Sequence, residues 1–166
     1  MLKLTRKTDY GLIAMRHLAE HAHQGSCSAT DLADACHLPL EVLAKILQRL
    51  ARAELVVPQR GINGGYTLAR EAGGITALQV IQAIEGPLFL TSCVTVHGRC
   101  DRSSGCTVRE PLQRVSRGIE EVLSGITIAE LAQPTPASQE RACWEPRRSE
   151  AEAPELSAIA TMETKS

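Results

Sequence analysis

The chain predicts a mainly α-helical fold with one small β-hairpin, namely a winged helix-turn-helix followed by a long dimerisation helix. Three observations predict it. Aromatic residues are confined to Tyr10, Tyr66, Phe89 and Trp144, so the core must come from Leu, Ile, Val and Ala, a set that favours helices. Two short amphipathic stretches are joined by a tight Leu-Pro turn. Directly after them an Asn-Gly pair lies between two short β-prone runs, the signature of a hairpin.

The first amphipathic stretch predicts a helix from about Thr8 to His23, with Ile13, Leu18 and Ala22 among its apolar positions, ended by Gln24-Gly25-Ser26. Ser28, with Asp31 three residues on, is a natural N-cap for a short helix over Ala29 to Ala35. Pro39 suits the first position of the next helix, Leu40 to Ala53, which sets Leu43, Ile46, Leu47 and Leu50 on one face and Glu41, Lys45, Gln48, Arg49 and Arg52 on the other. Leu55 to Pro58 and Tyr66 to Leu68 are the hairpin strands, with Gly61 to Gly65 between them, so the hairpin reads as a wing. Thr76 and Gln79 make a capping box for a helix through Leu78, Ile81 and Ile84, stopped by Glu85-Gly86-Pro87. Val108, Leu112, Val115, Ile119 and Val122 then recur as an a/d seam. A helix packed on its own domain would show the same pattern. A dimer helix is the preferred reading because the winged domain ahead already has a core. Thr127 and Glu130 form a second capping box, opening Ile128 to Ala132. Beyond Gln133 a mixture of Pro, Ser, Glu and Arg predicts a disordered tail. The expected divisions are a DNA-binding domain over 1–86, a cysteine segment over 87–107, a dimerisation helix and short terminal helix over 108–132, and the tail over 133–166.

The formal net charge is −1, so nucleic-acid binding must rest on local basic patches rather than on overall charge. With no signal peptide and no apolar run long enough to span a bilayer, the expectation is a cytoplasmic protein with no membrane partner. In a reducing compartment, clustered cysteines are metal ligands or reactive thiols more often than disulfides. The sequence offers no nucleophile–base pair, phosphate loop or catalytic carboxylate pair, and an enzyme is not expected.

The outer face of Leu40 to Ala53 is suited to the major groove of double-stranded DNA. Lys45 and Arg49 can reach guanines or phosphates, Gln48 offers an amide, and Glu41 can accept from a cytosine amine. Arg60 at the base of the wing can enter a narrow minor groove, and Ser28, Gly61 and Asn63 complete the candidate DNA-contacting set. A solvated helix face would carry similar charges, but the adjoining wing favours DNA.

Cys93, Cys100 and Cys106 cluster between two helical stretches without a Cys-x-x-Cys pair. Zinc sites usually include such a pair, whereas an iron–sulfur cluster is larger and tolerates longer gaps, so a cluster is preferred to zinc. Three thiolates leave a four-ligand site one short. His97 lies between the first two cysteines, although a His in such a segment is more often simply solvated. Cys27 and Cys36 read as small buried residues, and Cys143 falls in the tail. His17 and His21, four apart, read as a packed or solvated face, because the sequence shows no third ligand beside them.

The run Arg60-Gly61-Ile62-Asn63-Gly64-Gly65-Tyr66-Thr67-Leu68-Ala69-Arg70 resembles the wing signature of the Rrf2 family of bacterial winged-helix regulators. The opening Leu2 to Thr5 with Thr8-Asp9-Tyr10-Gly11, the Leu38-Pro39 turn with Leu43 and Ile46, and Ile75-Thr76 through Glu85-Gly86 resemble the same family in the same order, over about residues 1 to 132. The resemblance implies a homodimeric transcription factor with a crossed pair of dimer helices. It also places Cys93, Cys100 and Cys106 where the cluster-binding members carry their three cysteines. In one branch a His follows the third cysteine by three residues; here that position is Arg109, which cannot ligate. In another branch an Asp from the first helix of the partner subunit supplies the ligand, and Asp9 matches it. The plainer role for Asp9 is an acid favoured by the helix dipole. Six residues separate Cys93 from Cys100, one more than the family's usual five.

The function expected is therefore a repressor or activator whose operator affinity is set by a [2Fe-2S] or [4Fe-4S] cluster at a dimer interface, controlling iron–sulfur assembly genes. The alternatives are a nitric-oxide-sensing repressor of the same family, a cluster-free thiol switch, and, from another class, an iron–sulfur carrier or electron-transfer protein with no DNA role.

Overall fold

The computed structural model describes residues 4–61, 64–88 and 106–133. Helix α1 spans Arg6–Glu20. It begins two residues before the expected start because Thr5 is extended and its carbonyl accepts the amides of Thr8 and Asp9. It also stops short of His23: His21 caps it, and a single 3₁₀ turn, Ala22–Gln24, leads to Gly25 at φ 92°. The buried stripe is Thr8, Gly11, Ala14, Met15 and Leu18. Ile13 and Ala22, expected on the apolar face, are exposed instead: Ile13 points away from the stripe that Gly11, Ala14, Met15 and Leu18 form, and Ala22 lies past the end of α1 in the 3₁₀ turn.

Helices α2 (Ala29–Cys36) and α3 (Leu40–Arg52) form the helix-turn-helix. Ser28 caps α2, its Oγ accepting from the Asp31 amide at 3.1 Å and donating to the Asp31 carboxylate at 2.6 Å. Both helices end in the same way. At α2, Leu38 N–H reaches back to the Ala33 carbonyl and His37 N–H to that of Asp34. At α3, Leu55 reaches Leu50 and Glu54 reaches Ala51. These are Schellman closures, and the residue at the left-handed position is His37 (φ 53°) in one and Glu54 (φ 56°) in the other, where glycine is the usual occupant. In the second, Leu50 and Leu55 are both buried and supply the accompanying apolar contact.

Strands β1 (Val56–Gln59) and β2 (Gly65–Leu68) pair antiparallel, Val56 opposite Leu68 and Gln59 opposite Gly65. The wing is tied to the segment ahead of α2 by reciprocal bonds between Cys27 and Tyr66, 3.1 and 2.8 Å. A Cβ on Gly65 would lie 2.4 Å from the Cys27 carbonyl oxygen, so the close approach of these two backbones requires glycine.

Helix α4 (Ala77–Glu85) and helix α6 (Ile128–Ala132) open with the two expected capping boxes, Thr76 with Gln79 and Thr127 with Glu130. The boxes lie side by side: Ala77 N–H donates to the Ile126 carbonyl (2.8 Å) and Ile128 N–H to that of Ile75 (2.9 Å). Ile75 and Ile128 are fully buried in the core that also holds Met15, Leu32, Leu43, Leu47 and Leu50. Helix α5 (Arg109–Gly125) packs against α4 yet buries none of its residues. Along the expected seam Val108, Val115 and Val122 are 56, 51 and 66% exposed, while Leu112 and Ile119 are half-buried.

Candidate nucleic-acid interface and metal centre

The reading helix α3 has its buried residues on one side, so Glu41, Lys45 and Gln48, spaced four and three apart, share the opposite face and are exposed. Arg49 sits on the flank of that face. Its guanidinium donates to the Ile84 carbonyl at the end of α4, so part of its donor set is spent inside the protein. The flank forms a small cavity of about 160 Å³ lined by Lys7, Val42, Lys45, Ile46, Arg49 and Ile84. Lys7 brings a third cation to the edge of the reading face. The sequence reading missed it because its proximity to α3 arises from the packing of α1 on α3. Ser28 is half-buried, with its hydroxyl occupied by the cap, so what it can still offer is a position at the start of α2.

In the wing, Arg60 and Gly61 are exposed, and Gly61 adopts φ 124°. The Gly64 amide donates to the Gly61 carbonyl at 2.9 Å. A Cβ on Gly64 would meet the carbonyl oxygens of Gln59 and Gly61 at 2.7 and 2.8 Å. Asn63 lies outside the described residues. Arg70, at the far end of the hairpin, is structural: it donates to the Gly74 carbonyl and to the Gln79 side chain, 3.0 Å each.

Cys106 is a free, exposed thiol three residues ahead of α5. Cys93, Cys100 and His97 lie outside the described residues, as does Cys143. Asp9 is exposed in the first turn of α1, and the ion pair found among the described residues, Arg16–Glu20, leaves it unengaged. A sulfur ligand at Cys106 and an uncommitted carboxylate at Asp9, both exposed, are donor types that an iron–sulfur cluster accepts. Arg109 is the first residue of α5 and brings a cation beside Cys106 rather than a ligand. Cys27 and Cys36 are half-buried. Burial, reinforced by Asp31 at Cys27 and by Cys27 at Cys36, pushes both thiols above the usual cysteine range, so they remain protonated and weakly nucleophilic.

A second arrangement ties these parts together. Thr5 and the fully buried Thr8 both donate to Glu85 Oε1, the Thr8 bond measuring 2.9 Å. The start of α1, where Asp9 stands, is thereby fastened to the end of α4, and the end of α4 is fastened through the Ile84 carbonyl to Arg49 of the reading helix.

A helix-turn-helix with an exposed polar reading face, a hairpin wing after it and a long helix with an uncovered apolar seam define a winged-helix transcriptional regulator. The sequence profile of the Rrf2 family, described as an iron-dependent transcriptional regulator, matches residues 4–134, and the chain belongs to that family. It is 32% identical over 130 residues to the HTH-type transcriptional regulator IscR of Erwinia tasmaniensis, covering 78% of each chain. Among solved structures it is similar to CymR, the global cysteine regulator of B. subtilis, with a TM-score of 0.65, 34% identity and coverage of 81% of this chain and 99% of that one. It is also similar to IscR of T. potens, with a TM-score of 0.64, 30% identity and coverage of 87% and 93%. The expected winged-helix architecture and DNA-binding regulatory class are thus borne out, and the relatives are regulators rather than enzymes. Among the described residues no helix is long and apolar enough to cross a membrane.

Proposed function

We propose that this chain works as a homodimer whose affinity for a two-fold symmetric operator is set by an iron–sulfur cluster on Cys93, Cys100 and Cys106, with the partner subunit's Asp9 as the remaining ligand, and that it controls iron–sulfur assembly genes. The observation that carries the reading is the pair of ties at Glu85 and Ile84, joining the Asp9 end of α1 to the reading helix through the end of α4. A ligand bond to Asp9 would bias the position of α1, and that bias would reach α3 through the hydrogen bonds at Glu85 and at the Ile84 carbonyl. The exposed seam of α5 supports the dimer, since Val108 at its N-cap and Val115 and Val122 along it are each more than half exposed and invite a second copy. When bound, the cluster would supply a group that iron limitation, oxidants or nitric oxide can remove or alter. On DNA, Glu41, Lys45, Gln48 and Arg49 face the major groove, with Ser28 at its edge, while Arg60, Gly61 and Asn63 approach the minor groove. Dimer geometry makes half-site spacing decisive, so a small tilt of each reading head changes affinity.

Anaerobic purification with iron and sulfide analysis, followed by operator binding before and after cluster removal, tests this. The expected results are a coloured protein with stoichiometric iron and sulfide and an operator affinity that changes on removal. Asp9→Ala should lower cluster retention while leaving the dimer intact. A colourless protein that binds its operator equally under all conditions overturns the reading. A second reading, a thiol switch without metal, is favoured by the similarity to an oxidised-form CymR structure from Staphylococcus aureus (27% identity, TM-score 0.62) and by the exposed Cys106. It predicts that peroxide alone shifts operator affinity, and that Cys106→Ser abolishes the shift.

A further inference from the structure

Away from the reading face, the last turn of α1 brings together three potential ligands that the sequence did not connect. His17, Glu20 and His21 stand at i, i+3 and i+4, so one helical face carries all three. Their ligating atoms lie within 4.8 Å of one another, and all three side chains are half-buried, open enough to admit an ion. We propose that His17, Glu20 and His21 form a binding site for a divalent ion of the zinc class, separate from the cysteine segment.

The supporting groups fit this use. The Nδ1 of His21 lies 2.9 Å from the His17 carbonyl oxygen. A carbonyl has no proton to give, so Nδ1 carries the hydrogen, and in the neutral ring Nε2 is the nitrogen with the lone pair. Metal-bound histidines are commonly oriented by such a backbone bond through the other ring nitrogen. The two imidazoles stack with centroids 4.1 Å apart and planes 24° from parallel, so both rings already lie side by side at the end of α1. Glu20 is held by Arg16 through Oε1 at 2.8 Å, and its second oxygen can serve as the ligand atom. Zinc bonds of about 2.0–2.1 Å put tetrahedral ligands about 3.4 Å apart, so closing the set draws the ligand atoms together and turns one of the stacked rings towards the ion. Two imidazoles and one carboxylate suit zinc, cobalt, nickel or copper, and do not suit calcium or magnesium, which take oxygen ligands. With three protein ligands the fourth position goes to water. The bound ion would cross-link the end of α1 just before the turn that leads to Cys27, the residue whose backbone holds the wing at Tyr66.

The test uses the full chain carrying Cys93→Ser, Cys100→Ser and Cys106→Ser, so that the cysteine segment cannot compete. Co²⁺ is added as a spectroscopic probe and Zn²⁺ by calorimetric titration. The expected result is one equivalent bound, with visible cobalt bands and no thiolate-to-cobalt charge transfer in the near ultraviolet. His21→Asn keeps a donor for the His17 carbonyl while deleting Nε2, and should weaken binding at least about tenfold with unchanged circular dichroism. Glu20→Gln should weaken it as well. An absence of binding at micromolar metal, an unchanged affinity in His21→Asn, or a thiolate charge-transfer band from Cys27 or Cys36 would each overturn the proposal. Because the cluster cysteines are absent throughout, the outcome is independent of the cluster reading.

Discussion

Replacing Thr8 by Val tests the tie between α1 and α4 directly. Thr8 is fully buried, and its hydroxyl donates to Glu85 Oε1 at 2.9 Å. Valine has the same shape, so no cavity opens, and the added methyl meets a buried site. The acceptor is a carboxylate, and hydrogen bonds to charged groups contribute about 1.5–3 kcal/mol. Glu85 is exposed, however, so water can replace the lost donor and the Thr5 hydroxyl remains on the same oxygen. The expected loss therefore falls at or just below that range, about 1–1.5 kcal/mol. Urea unfolding followed by far-ultraviolet circular dichroism would read it as a lower midpoint at unchanged slope. A double-mutant cycle with Glu85→Gln should return a coupling of about 0.5–1 kcal/mol. A Thr8→Val protein as stable as the parent, or a cycle with no coupling, would mean that the two helices are held by packing alone. The route from Asp9 to the reading helix would then lose its first link.

Further outcomes follow from other positions. Gly65→Ala forces a Cβ onto the Cys27 backbone at 2.4 Å and should cost about 2–4 kcal/mol, measured by urea unfolding, with the wing detached from the segment ahead of α2. Glu54→Gly relieves a left-handed residue at a Schellman closure and should raise stability by up to about 1 kcal/mol, despite glycine's greater freedom in the unfolded chain; a loss of stability would contradict the assigned φ of 56°. Lys45→Ala should weaken operator binding and, if the contact is to a phosphate, lower the salt slope by about 1 in log–log plots from fluorescence anisotropy; Arg60→Ala should reduce affinity most on operators with narrow minor grooves. Val115→Glu places a charge in the exposed seam of α5 and should shift sedimentation towards monomer, with circular dichroism preserved.

Local chemistry explains which parts were legible in the sequence. The two capping boxes begin α4 and α6 where Thr76 and Thr127 stand, because each box satisfies its own helix amides without outside help. The reading helix was equally plain, since Leu43, Ile46, Leu47 and Leu50 form a single stripe. Helix α1 was less so. Its N-cap residue Thr5 makes no side-chain cap and donates instead to Glu85, 80 positions away, so the local signal for a helix start was missing. Lys7 on the flank of α3 and Arg49 on the Ile84 carbonyl are likewise products of helix packing. The same holds for α6: a pentapeptide reads as a trailing turn, but Ile128 belongs to the core through its exchange with Ile75. Glu20 does stand in the spacing His-x-x-Glu-His, contrary to the expectation of no third ligand, but an acid four residues after Arg16 pairs just as readily along the helix, so the spacing alone does not mark a ligand.

The backbone exchange between Thr76 and Thr127 brings the two ends of the intervening stretch to one spot and so closes it, with the buried face of α4 inside the core. Chain length inside such a closed stretch is nearly free thermodynamically. One residue added to a span of some twenty between α4 and α5 changes the closure entropy by only a few hundredths of a kcal/mol, on the order of (3/2)RT times the logarithm of the length ratio. The extra residue between Cys93 and Cys100 thus need not disturb the helix-turn-helix. If the cysteine segment holds the proposed cluster, its length and ligand content can change at little cost to the reading head, and one scaffold can take up different chemistries without being rebuilt.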